Sequence, residues 1–283
     1  MSRKENTVKK IYRLLAYEIK APKTFGLFHL TFAAIIAFTT AKLCKRAPND
    51  TERRERKTAL IFWLILLFFE TYKQIIYSVS LQGDEFIWQY AWGSFPFQLC
   101  SMPLYVLPFI AFLPNGRLRE SFVAFYGSYI LLGGLAVCVY PGSAFTETLG
   151  VNIQTMVWHG SQVILGIYFN VNRFANDDTI TPKGQLLLAF PLFLSSVSIA
   201  VILNVVIQNM LDSIGISEVF NMFYISPYHE SIFPILDKLS VSAPYPLFIL
   251  TYVTALTVFS FILLLACKAA VLHACHKAEV KNI

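Results

Sequence analysis

The sequence predicts an all-α, polytopic transmembrane helical bundle of about seven spans, with six as the alternative. Two observations predict it. The 283 residues are 56% hydrophobic and only 14% charged, whereas soluble domains carry about 25% charged residues. The apolar residues also gather into runs near the ~20 residues that cross a hydrocarbon core.

Residues 1–24 form a basic segment (Arg3, Lys4, Lys9, Lys10, Arg13, Lys20, Lys23) without the apolar core of a signal peptide. Val8, Ile11, Tyr12, Leu15 and Ile19 recur in it at helical spacing, which predicts an amphipathic helix on the membrane surface. The bundle occupies residues 25–268, with spans at roughly 25–43, 58–80, 97–114, 119–140, 150–170, 184–208 and 245–268. The third is short, and Pro103, Pro108 and Pro114 should kink or end it. A re-entrant first segment would reduce the count to six. Residues 269–283 read as a cytoplasmic tail, and no internal repeat suggests an inverted-repeat transporter.

Lys and Arg set the orientation. Lys45, Arg46, Arg53, Arg54, Arg56 and Lys57 fill the first loop; Arg117 lies in the third; Arg173 and Lys183 lie in the fifth. These loops and the C-terminus are expected in the cytoplasm. Seven spans then put the basic N-terminus outside, against the same rule. The net charge of +6 sits in membrane-flanking loops and is no nucleic-acid signature. The five cysteines (44, 100, 138, 267, 275) contain no CxxC pair, so neither a disulfide framework nor a zinc site is expected.

Polar residues inside a membrane are costly and each needs a reason. Glu70 and Lys73 lie three apart on one helical face, where they can pair. That pair is either a structural lock or one wall of a polar site. Cys100 stands at the head of the third span, where helix N–H groups favour a thiolate; a buried cysteine is more often an inert small hydrophobe. His159 is mid-span in "TMVWHGSQVILG" and could be a core histidine or the general base a cysteine nucleophile needs. Counting along the helices places Lys73, Glu70, Cys100, His159 and Asn204 about 10, 15, 5, 13 and 6 Å below the outer boundary. All five then share one half of the bilayer, which points to a cavity open on that side. Gln98, Ser101, Gln154 and Gln162 are candidates to orient the imidazole or hold an oxyanion. His29 reads as a cap at the start of span one, and His273, Cys275 and His276 as a solvated cationic tail.

"FPFQLCSMPLYVLPF", "ETYKQ", "WHGSQVILGIYFN" and "NVVIQN…NMFYISPY…APYPLF" together resemble, in order and spacing, the bacterial YwaF-like integral membrane proteins, grouped with eukaryotic transmembrane protein 164. The likeness covers residues 58–268. It implies a compact helical bundle similar to the androgen-induced-gene membrane hydrolases. From the eukaryotic branch it implies an intramembrane acyltransferase: the cysteine matching Cys100 takes a fatty acyl chain from a phospholipid, the histidine matching His159 is the base, and a lysophospholipid accepts the chain. Gln98 stands where the bacterial signature usually carries His.

The expected activity is therefore acyl transfer or acyl hydrolysis on membrane phospholipid esters, with Cys100 and His159 catalytic and Glu70, Lys73, Gln98 and Asn204 at the substrate. No metal or cofactor is needed, and no nucleic acid is involved. A bacterial cell membrane is the first expectation for its location and an endomembrane the second. The competing class is a small transporter or lipid-binding protein whose site is the Glu70–Lys73 pair, with Cys100 incidental.

Overall fold

The computed structural model describes residues 3–142, 144–233 and 236–281; residues 1–2 of the basic segment and 282–283 of the tail lie outside that range. The described chain is mostly helical, with one short hairpin and irregular segments between helices. Its helices are α1 (Arg3–Leu15), α2 (Leu27–Arg46), α3 (Glu52–Ser78), α4 (Pro103–Phe112), α5 (Arg117–Phe125), α6 (Leu131–Val139), α7 (Leu149–Asn176), α8 (Pro182–Ser213), α9 (Leu236–Ser242) and α10 (Tyr245–Lys281). A π-helical turn, Tyr126–Ile130, joins α5 to α6 without a break. The hairpin pairs β1 (Val79–Gln82) with β2 (Glu85–Trp88) in antiparallel register. Gly83, at φ +61°, makes its tight turn.

Among the described residues, five helices are long and apolar enough to cross a membrane: Leu27–Asn49, Glu52–Ser78, Arg117–Val139, Pro182–Ser213 and Tyr245–Lys277. Two expected spans differ from that pattern for separate reasons. With 10 residues, α4 is about 15 Å long. The 28-residue α7 is long but polar, because it is the central helix and buries nearly every side chain, including Asn152, Gln154, Thr155, His159, Ser161, Gln162, Asn170 and Asn172. A helix surrounded by helices meets no lipid and can keep its polar groups if they find partners.

Most of them do, although the Gln154 amide and Gln162 Oε1 make no hydrogen bond among the described residues. Asn170 Nδ2 donates to the Gly127 carbonyl at 2.7 Å, at the π turn. Widened turns leave such carbonyls short of partners. Asn172 Nδ2 donates to the Ala47 carbonyl, also at 2.7 Å. A Cβ on Gly134 would sit 2.5 Å from the Gln162 Cβ. Glycine is therefore what lets α6 lie directly on α7, as small residues do at close helix crossings. Gly134→Ala is expected to destabilise the protein by about 1–3 kcal/mol, read as a lowered unfolding temperature in detergent.

The segments run alternately between two ends. One is the hairpin end. There α1 packs on the hairpin through an edge-to-face Tyr12–Phe86 contact at 5.4 Å, a Tyr12 hydroxyl donated to the Val79 carbonyl, and Lys9 and Arg13 at 3.8 and 3.9 Å from Asp84. Ile19, past the end of α1, donates its N–H to the Glu147 carbonyl at 2.6 Å. His29 caps the start of α2, accepting the Phe25 N–H on Nδ1 at 3.0 Å while Nε2 donates to the Cys138 carbonyl at 2.9 Å.

The other is the ion-pair end. Glu55 and Arg119, each 2% exposed, meet at 2.5 Å. Arg173 bridges Glu55 at 2.5 Å and Glu120 at 2.8 Å. Arg119 Nε also donates to the Ile110 carbonyl at 3.0 Å. This four-charge cluster ties α3, α5 and α7 together and reaches the end of α4. The sequence pattern marks Arg173 as a loop charge, but it lies inside the last turns of α7.

Candidate active site

Two irregular segments enter the bundle from the hairpin end, 89–102 and 214–231. Non-helical backbone at membrane depth survives only where protein satisfies its polar groups, and four side-chain amides do that here. Gln98 Nε2 donates to the Asn221 carbonyl at 2.9 Å, and its Oε1 accepts the Phe223 N–H at 2.6 Å. Asn204 Nδ2 donates to the Met222 carbonyl at 3.0 Å, and its Oδ1 accepts the Met222 N–H at 2.6 Å. Gln208 Oε1 accepts from Phe220 N at 2.8 Å and from His229 Nε2 at 2.9 Å. Asn221 Oδ1 accepts the Ser226 N–H at 2.8 Å. The clamped turn is strained: Phe223 and Tyr224 both have positive φ, 57° and 56°, a conformation costly for residues with a Cβ.

Cys100 occupies a single 3₁₀ turn, Leu99–Ser101, just ahead of α4. The residue is partly buried. Its carbonyl accepts two hydrogen bonds from α7, from Trp158 Nε1 and Gln162 Nε2, each at 2.6 Å. His159 is the next residue after Trp158, in the same turn of α7. The structure thus brings the Cys100 turn against the turn of α7 that carries His159. It also sets Cys100 deeper than counting from the span end suggests: Trp158 lies nine residues into α7, about 14 Å from its start. The first helical turn expected around Cys100 is replaced by the re-entrant segment, which carries the thiol inward before α4 begins.

His159 is buried, and its Nδ1 lies 2.8 Å from the Thr155 carbonyl. A carbonyl can only accept, so Nδ1 holds the proton and neutral Nε2 carries a lone pair. Glu70 and Lys73 pair at 2.9 Å as their spacing foretold. Gln74 Nε2 donates to Glu70 at 2.7 Å and to the Ser94 carbonyl at 3.0 Å, fastening the pair to the re-entrant segment. Lys73 acts electrostatically on both Cys100 and His159, and Glu70 on Cys100. Tyr224, from the strained turn, and Tyr252 are also electrostatic neighbours of Cys100. All six expected site residues therefore belong to one connected region at the hairpin end. Within it, Gln98 and Asn204 spend their carbonyl oxygens and one N–H each on backbone, leaving each a second N–H.

Trp158, Gln208 and Asn221 were not singled out by sequence reasoning. Asn204 and Gln208 are four apart, on one face of α8, and that spacing was the available signal. Trp158 carried none, since a tryptophan beside a core histidine reads as packing. Among the described residues no cluster of three or more His, Cys, Asp or Glu could hold a metal ion.

No curated protein and no solved structure gives a significant match to this chain. A family model does, covering residues 24–264 and so including both re-entrant segments, the Cys100 turn and all of α7. The chain belongs to the TMEM164 family.

Proposed function

We propose that this protein is an intramembrane enzyme of acyl transfer, acting on phospholipid esters through Cys100 and His159. The observation that supports the reading is a cysteine turn anchored through its backbone to α7, one residue along from a neutral histidine whose Nδ1 proton is already committed to Thr155. Cys100 Sγ attacks the ester carbonyl carbon while His159 Nε2 takes the thiol proton. The tetrahedral intermediate collapses by breaking the C–O bond, and His159 returns the proton to the departing lysophospholipid oxygen. A lysophospholipid hydroxyl then attacks the thioester, its proton passing through His159 to the leaving thiolate. Water in place of that hydroxyl makes the enzyme a hydrolase; a site drained of water favours the transferase.

In this scheme Lys73 stabilises developing negative charge and Glu70 fixes Lys73. The second N–H groups of Gln98 and Asn204 face the oxyanion and head group. The scheme uses no metal or cofactor. It takes seven crossings, with α4 and α7 sheltered by the other five, α1 on the membrane surface at the hairpin end, and residues past 268 as a cytoplasmic tail. It also extends the family likeness to the bacterial YwaF-like proteins.

Mass spectrometry of the purified protein after incubation with mixed phospholipids tests it. The expected result is an acyl-sized adduct on the Cys100 peptide, removed by hydroxylamine and missing in Cys100→Ala. Turnover in wild type that persists unchanged in Cys100→Ala would overturn the reading.

One observation favours a second reading, a binding or transport protein. Glu70 is 4% exposed, and its Oε2 has no hydrogen-bond partner among the described residues. A buried carboxylate oxygen with a vacant acceptor position suits a cation or proton. On that reading Glu70→Ala abolishes ligand binding and Cys100→Ser preserves it.

A further inference from the structure

A second site lies at the opposite end of the molecule, away from Cys100. Helices α5 and α8 begin side by side at the ion-pair end. Between their starts is a cavity of about 360 Å³ lined by Arg117, Thr179, Ile180, Thr181, Gly184, Gln185, Leu187 and Leu188. Three features of its polar wall are unusual together.

First, no side chain caps α5. Thr181 Oγ1 caps only the Gly184 N–H of α8, at 3.0 Å. The first-turn N–H groups of α5 therefore remain open; in α8, where Pro182 has no N–H, that of Lys183 alone does, and both dipoles present their positive ends. Second, Arg117 has no ion pair among the described residues, although Arg119, two residues on, and Arg173 are fully committed to carboxylates. Lys183 stands in the first turn of α8 and likewise has no carboxylate partner among them.

Third, Gln185 is only 5% exposed, lines the cavity, and its side-chain amide makes no hydrogen bond among the described residues. Its amide atoms stay accessible to solvent, so they open into the cavity and are not sealed in the core. Of the acidic groups around it, Glu120 in the first turn of α5 is taken up by Arg173 and Arg119, Asp177 is engaged by the Thr179 N–H and hydroxyl at 2.9 and 2.6 Å, and Asp178 is exposed. Lys268 offsets them, with Nζ 2.7 Å from the Ile180 carbonyl.

We infer that this cavity binds a phosphate ester, held by Arg117, the open helix starts and the Gln185 amide, with Lys183, outside the lining but next to Gly184 in the chain, adding its charge at the rim. Open N–H groups at a helix start and a free arginine suit a phosphate. The other wall, Ile180, Leu187 and Leu188, is apolar, and Leu187 is exposed on the outer surface. That wall fits the glycerol and first acyl carbons of a lipid, whereas free phosphate would use the polar wall alone.

The full-length protein in detergent would be titrated with dioctanoyl phosphatidic acid, inorganic phosphate and dioctanoylglycerol, following the unfolding temperature. Phosphatidic acid is expected to bind. Its dissociation constant should rise about tenfold in Arg117→Gln/Lys183→Gln, both exposed positions whose loss leaves the ligand-free unfolding temperature unchanged. Gln185→Leu should weaken it as well. Inorganic phosphate saturating the same Arg117-dependent shift, with no added gain from the acyl chains, identifies a soluble phosphate as the ligand. No binding of either phosphate, binding indifferent to Arg117 and Lys183, or equal binding of dioctanoylglycerol overturns the inference.

Discussion

Replacing His159 by alanine should lower the rate of acyl transfer by about 10²–10⁴-fold and leave the fold standing. The Thr155 carbonyl that receives Nδ1 also lies within α7, where the backbone N–H four residues on serves it. Removing the imidazole therefore strands no buried acceptor. His159→Gln should be as inactive as alanine, since an amide can hydrogen-bond to Thr155 but cannot take a proton from a thiol. Cys100→Ala is an equally clean companion. Trp158 and Gln162 grip the backbone carbonyl of residue 100, not its sulfur, so alanine keeps both anchors. Steady-state transfer to a lysophospholipid, measured beside the unfolding temperature of each variant, separates chemistry from folding. Full activity in either variant would exclude this pair as the catalytic one.

Glu55→Ala is expected to cost about 3–5 kcal/mol of stability, because removing one partner of a buried ion pair leaves its partner's charge uncompensated. Arg119 would keep only a 3.4 Å contact with Glu120 and its bond to the Ile110 carbonyl. Arg173 would lose its shortest contact. The contrast is Glu52, one turn earlier on α3, whose exposed carboxylate pairs with the half-buried Arg56 and accepts from Asn115. Exposed pairs of that kind contribute about 0–1 kcal/mol, so Glu52→Ala should be nearly silent. Replacing Glu55 and Arg119 together by leucine and methionine should recover part of the loss, as apolar packing takes the place of the pair. Reversible unfolding in mixed micelles reads all three variants. Equal effects of Glu55→Ala and Glu52→Ala would mean the cluster is hydrated.

Much of the helical layout was legible because long apolar runs have one physical reading. The Glu70–Lys73 pair was legible because both partners sit on one helical face. The ion cluster was not: Glu55, Arg119 and Arg173 come from three helix ends, and each looks like an ordinary flanking charge until the ends converge. The roles of Gln98 and Asn204 were hidden for a related reason. Their partners are backbone atoms of a loop, and backbone leaves no mark on composition. The hairpin escaped notice because four-residue strands hold too few alternations to stand out. The depth of Cys100 was misjudged because span counting assumes a helix from the boundary inward, whereas segment 89–102 descends as irregular chain.

The amide clamps also impose an order of assembly. Gln98 is fastened to residues 123 and 125 positions later in the chain, and Asn204 grips Met222 just after its own helix ends. During synthesis the Cys100 turn and α7 can meet as soon as α7 is inserted. The strained turn at Phe223 and Tyr224 cannot close over them until α8 has been threaded and the segment behind it has folded back. A nascent chain arrested before residue 220 would hold its thiol and its imidazole yet lack the lid that brings Tyr224 to them. Such an intermediate exposes an unfinished polar cleft to lipid, and it is the stage at which a membrane chaperone or a quality-control protease would find this protein most open to capture.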